Sequence, residues 1–318
     1  MRPARILLKC HSGLTETSEP TEMTAHPDEI PIDDAFVARL IREQTPQWAD
    51  LPLRRIASSG TDNAIFRLGD RLLVRVPRRP SAVALLSKEL DWLPHLQGLP
   101  LEVPVLRFKG CAGLGLASDF GILDWMEGQT ASSENVGDWQ DAARALAGFL
   151  KALHLKDTTG APPAGFSNSR RGIALRDLTG VMLPAIDIVA DEINAQGARA
   201  LWDKACAAAF SQPPVWLHGD LKADNLIVRN GLLKGVIDWG LSAVGDPAAD
   251  YATAWFWIDP AARAVFREHL DIDDSDWLRA RGWALFGAVI ALSYYRGGRN
   301  EALCSQSRLT LFQLGLLL

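Results

Sequence analysis

One contiguous stretch constrains this chain more than any other: His218-Gly219-Asp220-Leu221-Lys222-Ala223-Asp224-Asn225, the apolar run Leu226-Ile227-Val228, an Asn230-Gly231 turn, then Leu232 to Ile237-Asp238-Trp239-Gly240. Asn-Gly between two β-rich runs is a strong signal for a tight hairpin. A hairpin returns its second strand to the place where the first began. Asn225 starts the first strand and Asp238 ends the second, so both reach one mouth, with Asp220 in the loop that leads in. Glycine at 240 is expected to let the backbone turn sharply after Asp238.

The flanking pattern divides near residue 128. Residues 1–31 are rich in Ser, Thr, Glu and Pro and are read as a disordered leader. Asp33 or Asp34 caps a first helix carrying Phe36, Val37, Leu40 and Ile41 at helical spacing. Short strands follow: one leading through Ile56, then Ala64–Leu68 and Leu72–Val76 joined at Gly69-Asp70. A helix is expected over Val83–His95, and further strands over Pro100–Phe108 and Gly121–Trp125. Beyond Glu127-Gly128 the chain is mostly helical, beginning with Trp139–His154, whose Ala143, Leu146, Leu150 and Leu153 share one face. A sheet-rich portion, 32–128, thus precedes a helix-rich portion, 129–318, that holds the hairpin.

Composition removes several classes of function. Of 318 residues, 48% are hydrophobic and 22% charged, and the net charge of −5 argues against an extended nucleic-acid surface. The longest charge-free apolar segment, Gly282–Tyr295, is shorter than the ~20 residues a membrane span needs. Cys10, Cys111, Cys206 and Cys304 are scattered, which fits thiols in a reducing compartment and a cytoplasmic protein. P-loop, zinc-hydrolase and serine-esterase motifs do not occur.

Two carboxylates and an amide oxygen at neighbouring strand ends are hard oxygen groups able to hold Mg²⁺ on a nucleotide while one carboxylate faces a hydroxyl. Asp220 is read as the carboxylate that takes the hydroxyl proton, and Asn225 and Asp238 as the metal ligands. His218 is read as a buried residue that holds the loop through hydrogen bonds rather than as a catalyst.

In these segments, and in Gly245-Asp246-Pro247-Ala248-Ala249-Asp250 and the helix around Leu146–His154, the chain resembles the aminoglycoside phosphotransferase family. The resemblance covers about residues 33–300 and implies an α+β, two-lobed protein-kinase-like fold: a small antiparallel-sheet lobe and a larger helical lobe. It implies a kinase that moves the γ-phosphoryl group of ATP or GTP to a small-molecule hydroxyl, with aminoglycosides, macrolides or another metabolite alcohol as candidate acceptors. It also implies the same roles for Asp220, Asn225 and Asp238. A lysine is usual on the third strand of such a fold, but Arg75 stands here, with Glu89 on the next helix as its partner. Ser59, Gly60 and Asn63 occupy the place of a phosphate-covering loop. Leu123–Gly128 is the expected linker, where backbone groups of Asp124 and Met126 meet the base. The rival expectation is a catalytically weak nucleotide-binding module in which Arg75 marks lost activity.

The acceptor side is less defined. Asp246 reads as a helix cap before Pro247. Asp250 either supports the active-site loop or faces substrate. The acidic run Asp271–Asp276 would suit a cationic acceptor or a solvated helix start, and Trp255, Phe256, Trp257 and Trp283 either line a pocket or fill the core.

Overall fold

The computed structural model describes residues 31–56, 62–113, 116 and 118–318. The expected leader lies outside the described residues except for its last position, and so do Ser59 and Gly60.

Helix α1, Asp34–Gln44, starts where Asp33 Oδ1 accepts the Phe36 N–H at 2.7 Å. Five strands then form one antiparallel sheet in the order β1-β2-β3-β5-β4: β1 Leu53–Ile56, β2 Asn63–Leu68, β3 Leu72–Pro77, β4 Leu106–Gly110 and β5 Phe120–Asp124. Successive strand side chains alternate between faces. Ala64, Phe66, Leu68, Leu72, Val74, Val76 and Ile122 accordingly collect in one cluster with Val37, Leu40 and Ile41 of α1. The burial of each such Val, Leu, Ile or Phe contributes ~1.5–3 kcal/mol. Helix α2, Pro80–Trp92, belongs to a second cluster, where its Leu86 and Leu90, with Leu93 just past its end, join the large helical core. It ends earlier than its pattern suggested because Leu93–Leu96 tightens into a 3₁₀ turn around Pro94.

The helical portion begins after β6, Gln129–Thr130. Helix α3, Trp139–His154, is capped by Asp138, which accepts the N–H groups of Gln140 and Asp141. Then come α4, Thr179–Ile188; α5, Ala195–Ala207; β7, Val215–Leu217; β8, Leu226–Arg229; β9, Leu232–Val236; and β10, Ala243–Gly245. They are followed by α6, Ala248–Tyr251; α7, Thr253–Phe256; α8, Arg263–His269; α9, Asp274–Tyr295; and α10, Glu301–Gln313. Helix α9 is buried almost all round from Arg279 to Leu292 and forms the axis of this half. Among the described residues no helix is long and apolar enough to cross a membrane.

Two small sheets position the loops. β8 and β9 make the expected hairpin, with Asn230 and Gly231 both at positive φ, and β6 flanks β8. β7 pairs with β10, setting Leu217 opposite Ala243.

Candidate active site

The loop after β7 is tied down from below. Asp250, 1% exposed on α6, accepts the backbone N–H of His218 at 2.7 Å and of Gly219 at 2.8 Å. Burial raises its pKa, against the opposing pull of those two N–H groups. Asp250 is therefore a loop anchor, which corrects its candidacy as a substrate contact: an enclosed carboxylate with both oxygens engaged has no face for a ligand. His218 is fully buried; its Nε2–H donates to the Ile237 carbonyl at 2.9 Å and its Nδ1 accepts the Asp220 N–H at 3.3 Å. A carbonyl can only accept, so the ring is the neutral Nε2–H tautomer. Its edge rests on Trp239, with 4.8 Å between centroids. Gly219 has φ +81°, and a Cβ there would lie 2.5 Å from the Leu241 carbonyl oxygen, so no other residue fits without movement.

This anchoring fixes Asp220. Asn225 Nδ2 donates to its Oδ2 at 3.0 Å and to its backbone carbonyl at 2.8 Å, and Lys222 Nζ lies 3.3 Å from Oδ2. With its NH₂ turned toward Asp220, Asn225 keeps its amide oxygen for another partner. Across the hairpin the Ile237 N–H donates to the Asn225 carbonyl at 2.9 Å, which places Asp238 beside Asn225.

Asp238 itself adopts φ 65°, ψ 68°. The sharp turn expected at Gly240 is thus made two residues earlier. Gly240 has no positive φ, and a Cβ on it would meet Leu85 at an ordinary 3.5 Å. A left-handed conformation at a non-glycine residue costs ~1–3 kcal/mol and is concentrated at functional sites.

Arg75 links the two halves. Its Nη1 meets Glu89 Oε1 at 2.7 Å and its Nη2 meets Asp238 Oδ1 at 3.2 Å. Glu89 Oε1 also accepts the Trp239 N–H at 3.2 Å. Burial pulls the guanidinium pKa down, but Glu89 and Asp238 outweigh it and hold the value raised. A planar fork suits two carboxylates on different elements better than an ammonium does. Arg75 Nε and Asn63 Oδ1 are both buried without a hydrogen-bond partner among the described residues. Asn63, Arg75, Glu89, Asp220 and Asp238 line one cleft between the sheet and the helical half. Arg79 faces Asp62 at 3.8 Å.

Asp124 and Met126 lie outside that cleft's lining. The Asp124 N–H donates to the Val105 carbonyl at 2.9 Å and its carboxylate grips Arg107 through two 2.7 Å bonds. Its backbone donor is therefore already used, which narrows the expected base contacts. The Met126 N–H makes no hydrogen bond to a described residue.

A second pocket opens on the other side of Asp220, with Arg171, Lys222, Phe256, Ala288, Leu303 and Ser307 among its lining. Of the four aromatics proposed for a pocket, Phe256 alone lines it; Trp255, Trp257 and Trp283 are buried in the core. None of the acidic run reaches it. Asp273 caps α9 by accepting the Asp276 N–H, while Asp271 pairs with Lys151, Asp274 with Arg267 and Asp276 with Arg279. Asp246 caps as expected, accepting the Ala248 N–H at 3.0 Å, and also forms a buried pair with Arg279 at 2.7 Å. Lys222 and Arg171 were missed by sequence reasoning. Lys222 had a usable signal, being two residues from Asp220. Arg171 had none, because only the fold brings it there.

The model of the phosphotransferase enzyme family (APH) matches residues 53–283, which include every residue of this cleft. The chain belongs to this family. Other comparisons place it within the phosphotransferase enzyme family at a distance. It is 30% identical over 169 residues to an aminoglycoside 3'-phosphotransferase of Escherichia coli, covering 52% of this chain and 60% of that protein. It is 26% identical over 172 residues to hygromycin-B 4-O-kinase of Escherichia coli, covering half of each. The chain thus spans 60% or less of the length of these curated relatives. Among solved structures, the GDP complex of wild-type aminoglycoside 2'-phosphotransferase-IIIa superposes with a TM-score of 0.65 at 18% identity, over 89% of this chain and 98% of that one. Macrolide 2'-phosphotransferase type I gives 0.58 at 21%, over 87% and 96%. These likenesses show a shared two-lobed α+β fold.

Proposed function

We propose that this chain is a small-molecule kinase that transfers the γ-phosphoryl group of ATP or GTP to a hydroxyl. The observation that carries this reading is that Asp220 lines both cavities, the cleft with Arg75 and Asp238 on one side and the pocket with Phe256 on the other. A carboxylate between a nucleotide and an acceptor is the group a hydroxyl needs as it attacks phosphorus.

The acceptor oxygen forms a bond to the γ-phosphorus while the bond from that phosphorus to the β–γ bridging oxygen breaks. The nucleoside diphosphate leaves, and the hydroxyl proton passes to Asp220. Asn225 orients the Asp220 carboxylate through its Nδ2, and Arg75 sets a fixed positive charge at the phosphate side. The orphaned Arg75 Nε gives the cleft a donor for a phosphate oxygen.

Among the described residues no group of three or more His, Cys, Asp or Glu side chains forms a metal cage. That fits Mg²⁺, which takes one or two protein ligands together with substrate phosphates and water. Asp238 and the Asn225 amide oxygen are the donors that would hold it, where it supplies neutralising charge to the phosphate oxygens. The full Asp220, Asn225, Asp238 set supports an active kinase over a weakened binding module. Among the described residues Cys111, Cys206 and Cys304 are free thiols, which supports a cytoplasmic setting.

The test is release of ADP or GDP on adding a panel of hydroxylated small molecules, with the phosphorylated acceptor identified by mass. Stimulated release with a matching product is expected. Nucleotide binding with no acceptor-dependent product across a broad panel would favour the binding module.

A further inference from the structure

The pocket beside Asp220 also carries information about its acceptor, an inference that rests on the kinase reading above. Phe256, Ala288, Ala291 and Leu303 give it an apolar wall. Gly287 lets the Phe256 ring lie directly against α9, since a Cβ there would be 2.8 Å from Phe256 Cζ. Its hydroxyl donors are already committed. Ser307 Oγ–H donates to the Leu303 carbonyl at 2.8 Å and Thr310 Oγ1–H to the Trp255 carbonyl at 3.3 Å.

The charged lining consists of Asp220, Lys222 and Arg171. Asp220 faces Lys222. The Arg171 guanidinium, half-buried, makes no hydrogen bond, ion pair or ring contact with any described residue. Apart from the carboxylate that must receive the hydroxyl proton, this lining therefore offers two cations and no anion. A substrate bearing several ammonium groups would bring like charge to like in a partly desolvated site.

We propose that the acceptor is a hydroxylated molecule with an apolar body and an anionic group, the anion seated on Arg171 and the hydroxyl at Asp220. The transfer balances as before: the acceptor O–H proton goes to Asp220, the oxygen takes the γ-phosphoryl group, and the nucleoside diphosphate leaves.

The experiment uses the intact protein with ATP or GTP and one aryl-alkyl alcohol scaffold in four forms: neutral, carboxylate, phosphate monoester and primary amine. Kanamycin is added as a polycation. Product formation and binding to the nucleotide-loaded protein are both measured. The carboxylate or phosphate member should exceed the amine by at least ~10-fold, and comparing the two identifies the anion. Arg171→Gln should lower kcat/KM for the anionic member ~10–100-fold, the range of a charge-assisted hydrogen bond. The neutral member should change less than ~3-fold, and Arg171→Lys should keep the preference. Unaltered nucleotide affinity of Arg171→Gln serves as the check on folding. Preference for the amine or kanamycin, equal affinity across charges, no binding by any member, or equal losses for neutral and anionic members in Arg171→Gln would each overturn the acceptor class. Absence of nucleotide binding by the wild type would instead remove the kinase reading on which the class rests.

Discussion

Arg75 holds a strand, a helix and the Asp238 turn together, and removing it should reveal two separable losses. Glu89 is 1% exposed and lies 2.7 Å from the guanidinium, so it is a desolvated carboxylate facing a desolvated cation. Deleting one partner of such a pair costs ~3–5 kcal/mol, while replacing both with apolar groups of similar volume is close to neutral. Arg75→Met and Glu89→Met are therefore each expected to lose ~3–5 kcal/mol, and the double variant at least ~3 kcal/mol less than their sum. Urea unfolding followed by tryptophan fluorescence measures this cycle. Calorimetric titration with ADP or GDP measures the second loss. The double variant should recover stability but not nucleotide affinity, because the charge offered to the phosphates is still missing. Additive stability losses would show that the pair is not coupled. Wild-type nucleotide affinity in the double variant would remove Arg75 from the phosphate site.

Three further expectations concern the same loops and the core. Gly219→Ala should cost ~2–4 kcal/mol, from a positive φ and a Cβ too near the Leu241 carbonyl, whereas Gly240→Ala should stay within ~1 kcal/mol of wild type; equal effects on thermal unfolding would refute the assignment of the turn to Asp238. Burial lowers the His154 pKa from 6.5 to about 4. The unfolded chain then binds a proton that the folded chain resists, so stability should fall as pH drops from 6.5 toward 4, by at most ~3 kcal/mol. His154→Phe should flatten that slope, and an unchanged slope in denaturation at graded pH would count against it. Asp238→Ala should abolish the Mg²⁺ dependence of nucleotide binding; the same Mg²⁺ response in titrations of both proteins would take Asp238 out of the metal site.

Much of this architecture was legible in local sequence because local physics decides it. Asn230-Gly231 specifies a turn whose two residues need positive φ, and the structure has both. Asp33 caps α1 by a bond spanning three residues. The functions that escaped depend on distant partners. Asp250 is 32 residues from the His218 N–H that it accepts, and only the fold distinguishes an anchor from a ligand contact. β7 and β10 are three residues each, too short for a period to register, yet they set the entry to the Asp220 loop. Gly240 invited a turn assignment by residue type, while the position at positive φ is Asp238. The acidic run Asp271–Asp276 looked like a substrate feature because charge was visible and its partners Lys151, Arg267 and Arg279 were not.

The central claim is that Asp220 takes a proton at the junction of two sites while binding neither substrate by itself. Asp220→Asn tests this most directly, with nucleotide affinity and phosphorylated acceptor measured on the same protein. Nucleotide affinity within ~3-fold of wild type and a loss of transfer of ~10²–10⁴ are expected. Transfer at the wild-type rate, with Asn at 220 and an intact fold, would contradict the account.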